Sequence, residues 1–197
     1  MKIAAIVVCL VIVAIHHADA GAYLTTLKIN AKADRTAPIK NYGSTYGANK
    51  RRHVEALKKA GLYDAYLALA VAIGMQETST FNPADYDYTK TGDSTNYSAF
   101  NLNRDMIVRA GIQPTSAYNT WSGIDSAAAS IKKMVTQYGV NGFLNYLRGG
   151  YSAWKDGVSY DAAGYRNAIA SIIRYIENDP SLLTDDRRVE MYTIHQR

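Results

Sequence analysis

The stretch D-A-Y-L-A-L-A-V-A-I-G-M-Q-E-T, Asp64 to Thr78, decides how the rest of the chain must fold. Asp64 can cap a helix over about Ala65–Gln76. Leu67, Ala68, Leu69, Ala70, Val71, Ala72, Ile73 and Met75 make that helix apolar almost all round. A helix that is apolar on every side has to be buried, so other helices must surround it. It ends on Gln76-Glu77, and the polarity changes there at once. Thr78 to Thr95 is rich in Asp, Asn, Thr, Tyr, Pro and Gly and reads as a loop or irregular hairpin region.

The elements around this segment supply the cover. Asn49 can cap a helix to about Lys59, with Val54, Leu57 and Ala60 on one face and Gly61 as its stop. Further helices are expected over about Arg104–Ala110, Ile124–Tyr138, Gly142–Leu147 and Asp161–Asn178. In the last, Tyr165, Ile169, Ile172, Ile173 and Ile176 mark the core face, and Asp179-Pro180 stops it. Tyr97–Asn103 (Y-S-A-F-N-L-N) alternates apolar and polar residues, the pattern of a half-buried strand. That alternation puts Asn101 and Asn103 on one face, with Phe100 and Leu102 on the other. Gly21–Ala48 has no helical period and reads as an extended N-terminal arm with one short strand, Tyr23–Ile29. The fold class is mainly α (α+β): one helical domain with a small β-hairpin beside the buried helix.

The first twenty residues read as a cleavable signal peptide. Lys2 is its positive end, Ile3 to Ile15 is an unbroken apolar run, and Ala18-Asp19-Ala20 offers small residues at a cleavage site. The apolar run is thirteen residues long, short of the roughly 20 needed to span a bilayer. Residues 21–197 then form one secreted domain of 177 residues with no membrane attachment. The single cysteine, Cys9, lies in the signal. Thiol catalysis, disulfides and thiolate metal sites are thereby excluded from the mature chain. His53 and His195 are expected to be solvated surface residues, and no H-E-x-x-H helix is present, so neither a metal nor a cofactor is expected. The net charge is +5. Lys50-Arg51-Arg52 and Lys58-Lys59 read as a solvated helix face, not as a nucleic-acid patch, because no binding motif accompanies them. Sixteen tyrosines suit either a tyrosine-rich core or a surface that meets an amphipathic partner such as a sugar.

The chemistry concentrates where the buried helix meets the polar loop. A carboxyl group at Glu77 follows a dozen nearly continuous apolar residues and faces the negative end of the helix dipole; both raise its pKa. A raised-pKa glutamic acid suits general acid catalysis near neutral pH; the other reading of this position is a surface residue at a frayed helix end. Asp85, Asp87 and Asp93 follow in a wet segment where a carboxylate stays ionised. One buried acid opposite one solvated base is the arrangement of glycoside hydrolases.

At these residues the chain resembles the lysozyme superfamily, and within it glycoside hydrolase family 134, secreted β-1,4-mannanases of lysozyme-like fold and inverting mechanism. The matching residues are Glu77-Thr78, Asp87, Lys90-Thr91-Gly92-Asp93, Asn96-Tyr97, Phe100, Asn103 and Met106. More loosely, Arg148-Gly149-Gly150-Tyr151-Ser152 and then Asp161, Tyr165, Arg166 and Ala168-Ile169 are similar to the family's last helix and the stretch before it. The resemblance implies Glu77 as general acid and Asp87 as general base. The loop after Glu77 is one residue shorter than the family pattern and the aspartate-to-lysine spacing one longer, which leaves Asp85 and Asp93 open as the base. Gln76, Thr78, Lys90, Asp93, Asn96, Asn101, Asn103, Arg148 and Tyr151 are the expected substrate-binding residues, with Trp121 and Trp154 available for stacking or core packing. The expected partner is a polysaccharide, mannan first, acted on by a monomer. A lysozyme- or chitosanase-type hydrolase of another β-1,4-glycan, or a non-catalytic sugar-binding protein, are the alternatives. Asn96-Tyr97-Ser98 is a glycosylation sequon beside the proposed cleft.

Overall fold

A computed structural model describes residues 22–33, 35–86, 88–157 and 160–191. The proposed signal peptide, Asp87 and His195 lie outside the described residues. Six α-helices and four short strands are present among them: α1 (Ala22–Leu27), β1 (Ile39–Asn41), α2 (Ser44–Lys59), α3 (Asp64–Glu77), β2 (Asn96–Tyr97), β3 (Leu102–Asn103), α4 (Arg104–Arg109), α5 (Ile124–Asp156), α6 (Tyr160–Asn178) and β4 (Arg187–Val189). The strands form two antiparallel ribbons, β1 with β4 and β2 with β3. The fold is therefore mainly helical with a small hairpin beside the buried helix, as expected. No helix among the described residues is long and apolar enough to cross a membrane.

Helix α3 is the centre of the molecule because its sequence leaves it no solvent face. Ala65 and every residue from Leu67 to Met75 are buried. Helices α1, α2 and α6 pack around it. The face of α6 read from the sequence does this packing: Tyr165, Ile169, Ile172, Ile173 and Ile176 are all fully buried. Helix α5 covers α2, α4 and α6. It is one run broken twice, at Gly139 (φ 66°) and Gly150 (φ 71°). Both angles lie in the left-handed region that glycine alone adopts without cost, so these glycines divide the run into shorter helical pieces.

The N-terminal arm departs from expectation. Residues 22–27 form a helix, not a strand, because the missing helix cap comes from the far end of the chain. Glu177 Oε1 of α6 accepts the amides of Tyr23 at 2.7 Å and Leu24 at 3.2 Å. Such end amides have no partner within their own helix. Side chains of α5 and α6 then hold the following segment, with Asn167 Oδ1 accepting from the Lys32 amide at 2.8 Å and the Tyr175 hydroxyl accepting from the Ala37 amide at 2.9 Å. Helix α2 begins at Ser44, before Asn49, whose side chain instead donates to the Thr80 carbonyl at 3.0 Å.

Two side chains read as solvated are buried. Lys50 is fully buried, its ammonium donating to the carbonyls of Leu182 at 2.8 Å and Arg187 at 2.7 Å and pairing with Asp185 at 3.4 Å. Arg51, Arg52, Lys58 and Lys59 are exposed as expected. His53 is 1% exposed and lies against the rings of Phe81, Phe100 and Trp121. Burial lowers its pKa, which keeps the ring neutral. The hairpin also corrects the single strand read over Tyr97–Asn103. Ser98 (φ 61°) and Asn101 (φ 49°) turn the chain, and Asn96 and Tyr97 pair with Asn103 and Leu102. The turn places Ala99 and Phe100 in the core and cancels the period-two relation between Asn101 and Asn103.

Candidate active site

Glu77 is the last residue of α3, and the chain leaves the helix at Thr78 in an extended conformation. The residue keeps a little exposed surface, while its carboxyl lies among α3, the hairpin turn and α6. Asn101 Nδ2 donates to Glu77 Oε2 at 3.1 Å. The left-handed backbone of Asn101 aims that amide back at the helix end. The hydroxyl of Tyr165, fully buried on α6, faces the same carboxyl and has no hydrogen bond of good geometry to any described residue. Arg148 of α5 and Lys90 of the loop bring positive charge to it.

These neighbours oppose one another. Burial disfavours the carboxylate, while Tyr165, Asn101, Arg148 and Lys90 all favour it. Burial wins, and the pKa of Glu77 is raised above the ordinary glutamate value. Burial and the Glu77 charge together push the Tyr165 phenol well above its usual pKa, so it stays a hydroxyl and a donor. The result is an acid whose proton is held more tightly than usual, with two donors and two cations placed to receive the anion it becomes. That arrangement can protonate a leaving oxygen.

The loop after Glu77 is built by Thr78 and Asp85. Thr78 is 2% exposed, and its hydroxyl donates to Asp85 Oδ2 and accepts from the amides of Thr80 at 3.1 Å and Phe81 at 3.2 Å. Thr80 Oγ1 also donates to Asp85 Oδ2, at 2.9 Å. Asp85 thus closes the turn that follows α3, held by two threonine hydroxyls. Asp93 sits in a short 3-10 turn, Gly92–Ser94, exposed and paired with Arg104 at 2.6 Å. Phe81, fully buried, fits over Gly74, where a Cβ would lie 2.4 Å from its ring carbons.

Of the residues singled out from the sequence, the structure therefore gathers Glu77, Lys90, Asn101 and Arg148. Among the described residues, Asn96, Asn103, Asp93 and Tyr151 make no hydrogen bond to Glu77. Asn96 pairs across the hairpin with Asn103, whose side chain caps α4 by accepting from the Met106 amide at 3.4 Å. Tyr151 packs with Tyr146 and Trp154, and the Arg109 guanidinium lies 4.2 Å from its ring centroid. Trp154 belongs to that cluster, and Trp121 lies between His53 and Arg52. Gln76 is partly buried, and its Oε1 has no hydrogen-bond partner among the described residues. Tyr165 was read as a core position and as part of the resemblance to the family's last helix, but not as a neighbour of Glu77; its signal was a hydroxyl in an otherwise hydrocarbon stripe. No group of three or more His, Cys, Asp or Glu side chains gathers among the described residues.

A search of curated proteins finds no match to this chain. The model of glycosyl hydrolase family 134 matches residues 51–193, from the middle of α2 to beyond β4. The match takes in the acid-bearing helix, the loop, the hairpin and α6, and covers well over half of the chain, which therefore belongs to glycosyl hydrolase family 134 and is a glycoside hydrolase.

Proposed function

We propose that this chain is a secreted endo-hydrolase of β-1,4-linked mannan that inverts the anomeric centre, with Glu77 as general acid and Asp87 as general base. The observation that carries the reading is the setting of Glu77: an acid whose pKa burial raises, yet flanked by the Asn101 amide and the Tyr165 hydroxyl. Glu77 gives its proton to the glycosidic oxygen as the bond to the anomeric carbon breaks. The carboxylate that forms is then stabilised by Asn101, Tyr165, Arg148 and Lys90. Groups that bind the product anion better than the neutral acid lower the barrier, because they act most strongly as charge develops. Asp87 takes a proton from the water attacking the opposite face. An inverting pair needs a carboxyl separation of about 6.5–9.5 Å to admit that water.

The choice of Asp87 has support from its neighbours in sequence. Asp85 is engaged by two threonine hydroxyls and Asp93 by Arg104, so each already has a structural partner. Secretion rests on the N-terminal pattern of Lys2, the apolar run and Ala18-Asp19-Ala20. Activity falls as pH rises through the pKa of Glu77, which must be protonated, and as pH falls through that of the base, which must be ionised.

The test is reducing-end release from a panel of mannan, chitosan and peptidoglycan, with product anomers followed by NMR. Mannan is expected to be cleaved, with the anomeric configuration inverted, and Glu77→Gln to lower kcat by about 100-fold or more, the scale of a lost general acid. Wild-type cleavage confined to chitosan or peptidoglycan would overturn the substrate. Retention of configuration would overturn the mechanism, and an active Glu77→Gln the acid.

A further inference from the structure

We propose that Arg188, on the C-terminal strand β4, is a positioning residue for Glu77, holding the last turn of α3 through the carbonyl of Met75. The inference rests on Glu77 being the general acid.

The last four carbonyls of a helix have no amide of that helix to accept from. In α3 the amide of Thr78 takes the carbonyl of Gly74, and the chain then departs in an extended conformation. The next carbonyl, Met75, is two residues before Glu77, and Arg188 Nε donates to it at 2.6 Å. The same guanidinium donates from Nη1 to the Tyr42 hydroxyl at 3.1 Å and lies 5.2 Å from the Tyr42 ring centroid. Tyr42 in turn donates to Glu190, which pairs with Lys40 at 2.6 Å. A planar guanidinium with two fixed partners fixes the carbonyl in direction as well as distance.

The strand that carries Arg188 is itself well held. Ile39, Lys40 and Asn41 of β1 pair with Val189, Arg188 and Arg187 of β4. The amide of Tyr42 donates to the Asp186 carbonyl at 2.8 Å and that of Glu190 to the Pro38 carbonyl at 3.0 Å. Buried Lys50 of α2 donates to the Arg187 carbonyl at 2.7 Å. The β1–β4 ribbon thus reaches from α2 to the helix end that bears the acid. A general acid works only with its proton within hydrogen-bond reach of the leaving oxygen, and small displacements are expensive.

The experiment compares Arg188→Met, Arg188→Lys and Arg187→Gln with wild type and Glu77→Gln, at a temperature where every variant is folded by circular dichroism. Arg187 anchors the same strand through Asp179 and Asp185, and among the described residues its side chain makes no hydrogen bond or ion pair to α3. Arg188→Met is expected to lower kcat by about 10- to 100-fold with KM little changed, the range for a misplaced catalytic group. Arg188→Lys, which retains a donor but not the planar fork, is expected to recover only part of that loss. Arg187→Gln is expected to lower thermal stability and keep kcat. Arg188→Gln, too short to serve both Met75 and Tyr42, makes the same measurement if methionine is not tolerated. A wild-type kcat in Arg188→Met or Arg188→Gln, a change confined to KM, or an equal kcat loss in Arg187→Gln would overturn the inference while Glu77→Gln stays inactive. An active Glu77→Gln would remove the acid assignment and this inference with it.

Discussion

Replacing Tyr165 by phenylalanine separates chemistry from packing at this site. The ring is fully buried, so its shape matters to the core, and phenylalanine keeps that shape. The hydroxyl has no hydrogen bond of good geometry in the resting structure. Removing it therefore deletes a poorly satisfied buried polar group, and folding stability should change by less than about 1 kcal/mol. For a chain of this size that is a Tm shift within about 4 °C. The catalytic consequence is larger. Tyr165 stabilises the Glu77 carboxylate, the species that forms as the proton leaves. A hydrogen bond to a charged group contributes about 1.5–3 kcal/mol. At 1.36 kcal/mol per factor of ten, that amounts to roughly 10- to 150-fold in kcat. The lower end is expected, because the resting geometry is imperfect. The sign of the pH effect is fixed as well. Tyr165 lowers the pKa of Glu77, so its loss raises it, and the basic limb of the kcat/KM profile moves to higher pH. The assay is kcat and kcat/KM against pH for both proteins, with Tm measured alongside. A folded variant with wild-type kcat, or with its basic limb unmoved or shifted to lower pH, would refute the reasoning.

Two further substitutions test the frame that holds the site. Lys50→Met leaves the buried Leu182 carbonyl and the part-buried Arg187 carbonyl without this donor, at about 1–3 kcal/mol each when fully buried, and a loss near 3 kcal/mol is expected from urea unfolding at pH 7. Burial lowers the Lys50 pKa from 10.5 to about 8, so the unfolded chain binds more protons between those values. Wild-type stability gains from this group as pH rises from about 8 to 10.5, and the methionine variant should lack that gain. Gly74→Ala would set a Cβ 2.4 Å from two Phe81 ring carbons and 3.3 Å from Phe100. Overpacking of this kind costs about 1–3 kcal/mol, and activity should fall with it because Phe81 carries the turn closed by Thr78 and Asp85. Unchanged thermal unfolding of the alanine variant would show that the ring has room to move.

Periodicity was most reliable where one face of an element decides everything. The apolar run of α3 and the Tyr165–Ile176 stripe of α6 need only a core to bury them, and both fold where the pattern places them. The break in polarity at Glu77 was visible too, but position alone left a solvated, frayed helix end as open to that side chain as a buried setting. Patterns failed where the deciding partner is distant in the chain. Helix α1 depends on Glu177 for its cap, so Ala22–Leu27 looked extended. Lys50 looked solvated because its acceptors lie more than 130 residues away. The alternation at Tyr97–Asn103 was real, but left-handed residues at Ser98 and Asn101 turn it into a hairpin.

Read alone, the chain determined that a nearly all-apolar helix must be buried and that an acid must stand at its end, because hydrophobic burial and dielectric act on composition and order alone. Which groups surround that acid was decided only by tertiary structure. Asn101, Arg148, Tyr165 and, through the Met75 carbonyl, Arg188 come from a turn, two helices and a strand spread over almost half the sequence. Hydrogen bonds and charges act over a few ångströms, and separation along the chain says nothing about such distances until the helices have packed.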